Sequence, residues 1–148
     1  MKKVTLFTDG ACLDNPGPGG WAALLRYGPH EKLVSGGVDE TTNNRMELMA
    51  VIEGLKILNE PCEVEVVVDS RYVMDAFDKN WLRNWKANGW KTAAKKEVKN
   101  QDLWELLDEQ SQTHRLRWKW VRGHTGHEEN EKVDAAAREA AEAVRRRS

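Results

Sequence analysis

The first forty residues alternate between apolar and polar positions, a period of two that predicts β-strands. Strands are expected over residues 3–9, 21–27 and 32–38. The turn-forming residues 15–20 separate the first two strands, and residues 28–29, Gly followed by Pro, separate the second from the third. Short connections of this kind join antiparallel neighbours, so we expect the three strands to form an antiparallel meander.

The rest of the chain alternates between helical and strand patterns. Apolar residues at helical spacing predict a helix from the capping segment 41–44 to about residue 59. A nearly continuous apolar run over 64–68 is typical of a strand buried on both faces. Apolar residues alternate with basic ones over 116–120 and predict one further strand. Further helices are predicted over residues 70–77, 100–112 and 128–146.

The order of these elements predicts the fold class. A helix between two strands favours a right-handed crossover to a parallel neighbour, whereas the opening meander is antiparallel. The sequence therefore predicts an α/β fold, in which a mixed sheet is covered by helices. The chain has 148 residues, the length of one domain, so we expect a single domain over residues 1–148.

The composition is that of a globular protein. Hydrophobic residues make up 40% of the chain and charged residues 32%, which excludes a disordered or a membrane-spanning protein. No segment approaches the roughly 18 apolar residues of a membrane span, and the N-terminus lacks the apolar stretch of a secretion signal. The two cysteines are too few for a disulfide framework and suit a reducing compartment. We therefore expect a cytoplasmic location.

The formal net charge of −1 is an average over two regions of opposite sign. Residues 79–99, which we call the handle, contain seven basic residues and one acidic residue, so the handle carries +6 and the rest of the chain −7. Three of the seven tryptophans, Trp81, Trp85 and Trp90, lie in the handle. One interpretation is a solvated amphipathic helix that its tryptophans pin to the domain. The other is a nucleic-acid surface, where cations meet phosphates and indoles meet bases or sugars.

Four acidic residues stand at the ends or flanks of predicted elements. Asp9 and Asp69 each follow an apolar strand, and the carboxyl ends of neighbouring strands meet at one edge of a sheet. Glu47 is expected in the first turn of its helix, and Asp134 flanks the packing face of the last helix. Each could serve as an ordinary turn, cap or surface residue. If the four converge, their oxygens suit Mg²⁺ or Mn²⁺, and two such ions about 3.5–4 Å apart support phosphodiester hydrolysis.

A histidine flanked by glycines joins the last strand to the last helix. It is His124, in the segment RGHTGH over residues 122–127. Flanking glycines favour a mobile loop, in which the imidazole can exchange protons beside an active site. A zinc site built from His124, His127 and a cysteine is the alternative, but the spacing of these residues matches no zinc motif.

A series of short motifs spans nearly the whole chain. They are TDGAC at 8–12, NPGPGGW at 15–21, TNNRMEL at 42–48, DS and YV at 69–70 and 72–73, the tryptophan-rich 81–91, WVRGH at 120–124 and NEKVD at 130–134. In this order, from Val4 to about Ala141, the motifs resemble those of ribonuclease H type 1 of the bacterial kind.

The resemblance implies a fold, an activity and a cofactor. The family's fold is a five-stranded mixed sheet, a three-strand antiparallel meander plus parallel strands, with helices on both faces. Its members cleave the RNA strand of RNA–DNA hybrids endonucleolytically, leave 5′-phosphate and 3′-hydroxyl ends, and use two Mg²⁺ ions, for which Mn²⁺ can substitute. The implied metal ligands are Asp9, Glu47, Asp69 and Asp134, and the implied assisting histidine is His124.

The resemblance also implies substrate contacts that depend little on base sequence. The positions implied to touch the minor groove and the RNA 2′-hydroxyls are Cys12, Asn15, Asn43, Asn44 and Glu47. Arg71 stands at a further groove position, where many bacterial relatives carry Gln. Those implied to hold a phosphate of the DNA strand are Thr42 and Asn84. The handle is implied to contact the substrate through Trp81, Trp85, Lys86 and Trp90.

We expect a monomer whose partner is the RNA–DNA hybrid duplex and which has no role at a membrane. No separate hybrid-binding segment precedes the first strand at Val4, so capture should rest on the handle. One alternative is a non-catalytic hybrid-binding module, in which Asp9→Asn would change nothing measurable. Another is a DNA-processing nuclease such as a resolvase, which would prefer duplex DNA. The residues leave open a partnership with a single-strand-binding protein.

Overall fold

The computed structural model describes residues 1–122 and 128–147. Within these residues, no helix combines the length and the apolarity that crossing a membrane requires. The strands are β1 (Lys2–Cys12), β2 (Gly17–Tyr27), β3 (His30–Thr41), β4 (Cys62–Val68) and β5 (Arg115–Trp120). The helices are α1 (Asn43–Lys56), α2 (Arg71–Asp78), α3 (Trp81–Ala87), α4 (Gln101–Thr113) and α5 (Glu128–Arg147).

The five strands form one mixed sheet in the order β3-β2-β1-β4-β5. β1 pairs antiparallel with β2, and β2 pairs antiparallel with β3, so the predicted meander is confirmed. β4 runs parallel to both of its neighbours, with Val66 opposite Leu6 in β1 and opposite Trp118 in β5. These parallel pairs follow from the helical connections between the strands, which return the chain to the same end of the sheet.

Helices cover both faces of the sheet. The larger core includes residues of α1 and α4, and in it Leu6, Ile52 and Trp104 are at most 2% exposed. The smaller core lies on the opposite face, where α5 packs against β1, β2 and β3. Gly20 permits this approach, because a Cβ there would lie 2.1 Å from the carbonyl oxygen of Ala137. The predicted α/β fold, a five-stranded mixed sheet with helices on both faces, is confirmed.

The first two strands are longer than the alternating pattern predicts. β1 continues to Cys12, β2 begins at Gly17, and the two strands stay paired up to Cys12 opposite Gly19. The assignment of residues 15–20 to a turn was therefore wrong for residues 17–20, which belong to β2. Glycine serves there because Gly19 and Gly20 lie against packed neighbours that leave no room for a Cβ.

The handle consists of one short helix and a return segment. The helix is α3, after which Lys91 pairs with Glu97 in an isolated antiparallel bridge. Between α3 and Lys91, the chain reverses direction at Gly89 and Trp90, which have positive φ angles of 67° and 63°. An amphipathic helix, one of the two interpretations of the handle, is thus limited to α3.

Candidate active site

Three acidic side chains converge at the carboxyl edge of the sheet. Asp9 lies in β1, and Asp69 directly follows β4, the parallel neighbour of β1. Glu47 approaches from α1, one residue beyond the first turn in which the sequence analysis placed it. One carboxylate oxygen of each acid lies within 4.8 Å of those of the other two. The three therefore form one acidic cluster.

Gly10 allows the close packing that brings Glu47 beside Asp9. A Cβ at Gly10 would lie 2.6 Å from the backbone nitrogen of Glu47, closer than real side chains come. The Gly10 N–H donates to both acids, at 3.0 Å to Asp9 Oδ1 and at 3.3 Å to Glu47 Oε1. A larger residue at this position would push α1 away from the sheet and separate the two carboxylates.

The fourth acid of the sequence analysis, Asp134, reaches the cluster from α5 on the other face of the sheet. The Asp134 carboxyl group lies near enough to that of Asp9 to help raise the pKa of Asp9, although it is not one of the three acids whose carboxylate oxygens all lie within 4.8 Å of one another. The Asp134 Oδ2 atom also accepts from Arg138 Nη2 at 2.7 Å, one helical turn further along α5. One open cleft of the surface is lined by Asp9, Gly10, Asn43, Asn44, Glu47, Asp69, Ser70 and Asp134.

Burial and mutual repulsion oppose ionisation of this cluster. Asp9 is 3% exposed, and burial, with the nearby carboxylates of Glu47 and Asp69, raises its pKa from 3.8 to about 9. Burial and the Asp69 carboxylate raise the pKa of Glu47 to about 8, against the opposing effect of the Gly10 N–H. Asp9 and Glu47 therefore hold protons at neutral pH unless cations neutralise the cluster. Closely spaced carboxylate oxygens of this kind fit a hard divalent cation.

Polar residues border the acidic cleft on the side of α1. The Asn15 side chain accepts the N–H of Asn43 at 3.0 Å and so ties the turn after β1 to the start of the helix. Thr42 caps the same helix, since its Oγ1 accepts the N–H of Arg45 at 3.3 Å. Cys12 Sγ lies 3.3 Å from the carbonyl oxygen of Thr41. A cavity of about 430 Å³ leads from here to the end of the handle and is lined by Asn15, Pro16, Thr42, Asn43, Asn44, Lys99 and Asn100.

The tryptophans of the handle divide into one surface residue and two anchors. Trp81 is 38% exposed, whereas Trp85 and Trp90 are half-buried against the larger core. Trp85 meets the buried Trp104 edge-on, with ring centroids 5.4 Å apart. Trp85 and Trp90 thus pin the handle, as one interpretation expects, while Trp81 stays open to solvent. A cleft of about 330 Å³ beside them is lined by Asn44, Tyr72, Trp81, Trp85, Thr92, Lys96, Glu97, Val98, Lys99 and Asn100.

Asn84, Lys86 and Arg71, also named from the sequence, are not among the described residues that line the acidic cleft. Asn84 is exposed on α3. Lys86 Nζ lies 3.0 Å from a carboxylate oxygen of Asp108 in α4, so its charge is balanced within the protein. Arg71 lies at the start of α2 and pairs with Asp75 at 3.0 Å. His124 lies outside the described residues.

Comparison with known proteins identifies the family. The family model described as RNase H matches residues 1–142 of the chain. This chain belongs to the ribonuclease H family. It is 62% identical to the ribonuclease H of Thermus thermophilus over 141 residues, which cover 95% of this chain and 85% of that protein. It is 60% identical to the ribonuclease H of Erythrobacter litoralis over 142 residues, which cover 96% of this chain and 98% of that protein.

Solved structures of ribonucleases H have the same fold. The crystal structure of a type 1 RNase H with the type 2 active-site motif matches with a TM-score of 0.85 and 32% identity over 97% of this chain and 74% of that chain. An RNase H1 crystallised with an RNA/DNA hybrid matches with a TM-score of 0.70 and 23% identity, over 95% of this chain and 98% of that chain, a likeness of fold alone. The sequence-based identification of a metal-dependent nuclease that hydrolyses the RNA strand of RNA–DNA hybrids is confirmed by the family.

The structural role of Arg45 in this ribonuclease H could not be predicted from the sequence. The Arg45 guanidinium donates to both carboxylate oxygens of Asp102, at 2.8 and 3.0 Å, and to Asn100 Oδ1 at 3.3 Å. Asn100 in turn donates to the hydroxyl of Tyr72 at 3.1 Å. This network joins the start of α1 to the start of α4 beside the cavity. Its sequence signal, a basic and an acidic residue near two helix starts, has meaning only once the two helices are known to be neighbours.

Proposed function

We propose that the acidic cluster is the catalytic centre of this ribonuclease H and that cleavage is endonucleolytic, leaving 5′-phosphate and 3′-hydroxyl ends. The observation that carries the proposal is the convergence of Asp9, Glu47 and Asp69, with carboxylate oxygens within 4.8 Å of one another. Three acids at this distance oppose one another's ionisation, so the arrangement costs free energy unless cations bind there. A cluster of this kind is therefore best explained as a site for cations.

The donor set fits two Mg²⁺ ions, with Mn²⁺ as a substitute. The residues that would hold the ions are Asp9, Glu47, Asp69 and Asp134. All of their donor atoms are hard carboxylate oxygens, and phosphate oxygens of the substrate would complete the coordination. When bound, two such ions supply an activated water and stabilise the negative charge on the leaving oxygen of the phosphodiester.

Each group of the cluster has a separate task in this proposal. Asp9 and Glu47 hold protons in the metal-free protein and release them when cations bind, so cation affinity rises with pH. Arg138 fixes the orientation of the Asp134 carboxylate through their contact at 2.7 Å. His124, outside the described residues, is proposed to move a proton beside the cluster.

The residues that border the cleft are proposed to recognise the hybrid by its backbone. The 2′-hydroxyl both donates and accepts hydrogen bonds and occurs only in the RNA strand, so amide side chains that meet it distinguish RNA from DNA. The proposed contacts to the minor groove are Cys12, Asn15, Asn43, Asn44 and Arg71. The proposed contacts to a phosphate of the DNA strand are Thr42 and Asn84.

The handle is proposed to hold the DNA strand. Trp81 offers an exposed ring beside Trp85 in one cleft, and stacking of a base on such a ring contributes about 1–3 kcal/mol. Lys96 lines the same cleft and brings a cation to the phosphates. The other handle residues in the proposed contact surface are Lys86 and Trp90.

We further propose that residues 1–148 form a single catalytic domain that acts as a monomer in the cytoplasm. The strands before and after the handle belong to one sheet, and Trp85 and Trp90 of the handle pack against the larger core, so the handle is an extension of the domain rather than a domain of its own. Cys12 and Cys62 are both free thiols, the state that a reducing compartment maintains. Light scattering of the purified protein measures its mass in solution and so tests the proposed monomeric state.

The test of the proposed function is cleavage of a labelled RNA–DNA hybrid by the purified protein with Mg²⁺, with and without excess EDTA. We expect the RNA strand alone to be cut, only with the cation, and duplex DNA to stay intact. Asp9→Asn should abolish cleavage but keep hybrid binding, whereas Glu109→Gln, on the exposed surface of α4, should cleave at the wild-type rate. Cleavage in excess EDTA, or full activity of Asp9→Asn, would overturn the proposal. Preferred cleavage of duplex DNA would indicate a different class of nuclease.

A further inference from the structure

The chain that leaves β4 is bonded to the end of β5 through a side chain as well as through the backbone. Val68, the last residue of β4, is paired with Trp120, the last residue of β5. The backbone N–H of Val121 donates to the Val68 carbonyl oxygen at 2.8 Å. The indole N–H of Trp120 donates to the next carbonyl oxygen, that of Asp69, at 2.9 Å. The Trp120 side chain therefore extends the contact between the two strands to the acidic residue itself.

Asp69 lies between two regular elements, so neither a strand nor a helix fixes its backbone. β4 ends one residue before it, and α2 begins two residues after it. Ser70 caps α2, since its Oγ accepts the N–H of Tyr72 at 3.3 Å. The peptide group between Asp69 and Ser70 is thus held by the helix cap on one side and by the indole of Trp120 on the other. Rotation of that peptide group would move the Asp69 carboxylate relative to the other acids.

Arg71 covers the indole that makes this bond. Trp120 is 39% exposed, and the guanidinium carbon of Arg71 lies 4.8 Å from the ring centroid. Asp75 holds the guanidinium in place, because its Oδ1 accepts from Arg71 at 3.0 and 3.2 Å. A cation over an aromatic face is attracted to it, so Arg71 restricts the rotation of a ring that solvent would otherwise leave mobile. The groove contact expected of Arg71 stays a prediction, and the indole contact is a second role.

We propose that Trp120 is a positioning residue, which holds Asp69 in the orientation that metal binding requires, and that Arg71 keeps the indole in place. The inference rests on the proposed function of Asp69 as a metal ligand. Groups that orient a metal ligand change metal affinity by about 10–100-fold when they are removed. Trp120 orients the backbone of the ligand rather than its carboxylate, so its effect belongs at the lower end of that range.

Trp120→Phe is the variant that tests the proposal, because it keeps a ring beneath Arg71 and removes the N–H. Its matched control is Trp118→Phe, two residues earlier on the same face of β5. The indole of Trp118 stacks on Phe77 with ring centroids 4.8 Å apart and donates no hydrogen bond within residues 1–122 and 128–147. Three quantities are measured for each variant: the Mg²⁺ dissociation constant of the substrate-free protein by calorimetry, kcat and KM on a hybrid, and Tm.

We expect Trp120→Phe to raise the Mg²⁺ dissociation constant about 10-fold and to lower kcat at subsaturating Mg²⁺, with KM for the hybrid unchanged. Trp118→Phe should lower Tm and leave the Mg²⁺ dissociation constant at the wild-type value. Wild-type Mg²⁺ affinity in Trp120→Phe, or an equal loss in Trp118→Phe, would overturn the proposal. Asp69→Asn is measured alongside: if it binds Mg²⁺ as the wild type does, the metal site itself is wrongly assigned, whatever Trp120 does.

Arg71→Gln distinguishes the contribution of the Arg71 guanidinium over the Trp120 ring from that of the hydrogen bond between Trp120 and the Asp69 carbonyl oxygen. It should raise the Mg²⁺ dissociation constant by less than Trp120→Phe does, and the double variant should bind Mg²⁺ as weakly as Trp120→Phe alone, because Arg71 acts through the indole. Independent, additive losses would contradict that part of the proposal. Arg71 is exposed, so this variant keeps the proposal testable if Trp120→Phe does not fold: unchanged Mg²⁺ affinity in Arg71→Gln would then overturn it.

Discussion

The acidic cluster and the handle, two regions of this ribonuclease H that are rich in ionisable residues, are built in opposite ways. The cluster collects single residues from β1, α1 and the chain after β4, with Asp134 of α5 beside them, and two of its acids, Asp9 and Glu47, are at most 8% exposed. The handle is one continuous segment with a charge of +6 and an exposed tryptophan at its surface. Tertiary packing therefore brings the acids of the cluster together, whereas the charge of the handle follows from its local composition. Substitutions should therefore cause large losses of activity in the cluster and smaller, stepwise losses of substrate binding in the handle.

Among substitutions that keep all four acids, the largest effect is expected from Gly10→Ala, which separates the carboxylates of the cluster. The added Cβ would lie 2.6 Å from the Glu47 nitrogen, so α1 must move away from β1. Displacement of a catalytic group by about 1 Å costs about 100-fold in rate, and we expect at least that loss in kcat. Hybrid cleavage at saturating Mg²⁺ measures it.

The matched control for Gly10→Ala is Gly28→Ala, because a Cβ at Gly28 meets no atom within 4 Å. Gly28 has a φ of +57°, so this variant should lose about 1 kcal/mol of stability while its kcat stays at the wild-type value. Equal kcat in the two variants would show that the approach of α1 to β1 is not what brings the acids together.

The second expectation concerns two tryptophans of the handle, Trp81 and Trp85. Trp81→Ala removes an exposed ring, so KM for the hybrid should rise about 10-fold, in line with about 1–3 kcal/mol for a stacked base, while Tm changes little. Trp85→Ala removes the contact with buried Trp104 and should lower the free energy of unfolding by about 2–3 kcal/mol. Steady-state kinetics and urea unfolding on both variants separate the two roles. A large fall in stability for Trp81→Ala would show that both tryptophans are anchors.

The third expectation is a pH dependence of stability in the metal-free protein. The pKa of Asp9 is raised from 3.8 to about 9 in the folded state, so the folded protein keeps a proton that the unfolded chain releases. The stabilisation from this proton is complete below about pH 4. It declines as the pH rises above 4 and is gone once the pH has passed about 9. Asp9→Asn removes the titration, so at pH 8 in EDTA the variant should be more stable than the wild type. That difference should shrink toward pH 4.5.

Urea unfolding at several pH values measures this difference, with Glu109→Gln as the control that leaves the pH profile unchanged. Saturating Mg²⁺ should reverse the order at pH 8, because the ion stabilises only a protein that binds it. A wild-type protein whose stability in EDTA does not change relative to Asp9→Asn between pH 4.5 and 8 would contradict the raised pKa of Asp9.

The difference between the two regions also explains what could be predicted from the sequence. The alternating and continuous apolar patterns predict the meander and the buried β4, and the rule that ligands collect at the carboxyl ends of parallel strands places Asp9 near Asp69. The spacing of residues says nothing about how closely α1 approaches β1, which depends on the missing side chain of Gly10. The assignment of Glu47 and Asp134 as partners of Asp9 therefore required the resemblance to a family.

Other features could not be read from the sequence because they depend on contacts between distant elements. The glycine-rich segment after Asn15 has the composition of a turn, yet from Gly17 onward it is a strand, since its glycines lie against α5 and Thr41. The bond from Trp120 to the Asp69 carbonyl oxygen joins residues that are adjacent only once β5 lies beside β4. The roles assigned to individual site residues stay predictions, and the variants above test those of Asp9, Asp69 and Trp81.

The smallest expected effect distinguishes two lysines within the handle, Lys86 and Lys96. Lys86 pairs with Asp108 at 3.0 Å, while Lys96 is exposed, lines the cleft beside Trp81, and forms no ion pair with any described residue. Each cation that meets a phosphate contributes about 0.9 to the slope of log affinity against log salt concentration. Lys96→Gln should therefore reduce the slope for hybrid binding by about that amount, and Lys86→Gln by clearly less. Fluorescence anisotropy with a labelled hybrid at several salt concentrations measures both. Equal reductions would mean that Lys86 leaves Asp108 when the hybrid binds, so that the whole charge of the handle is available to the substrate.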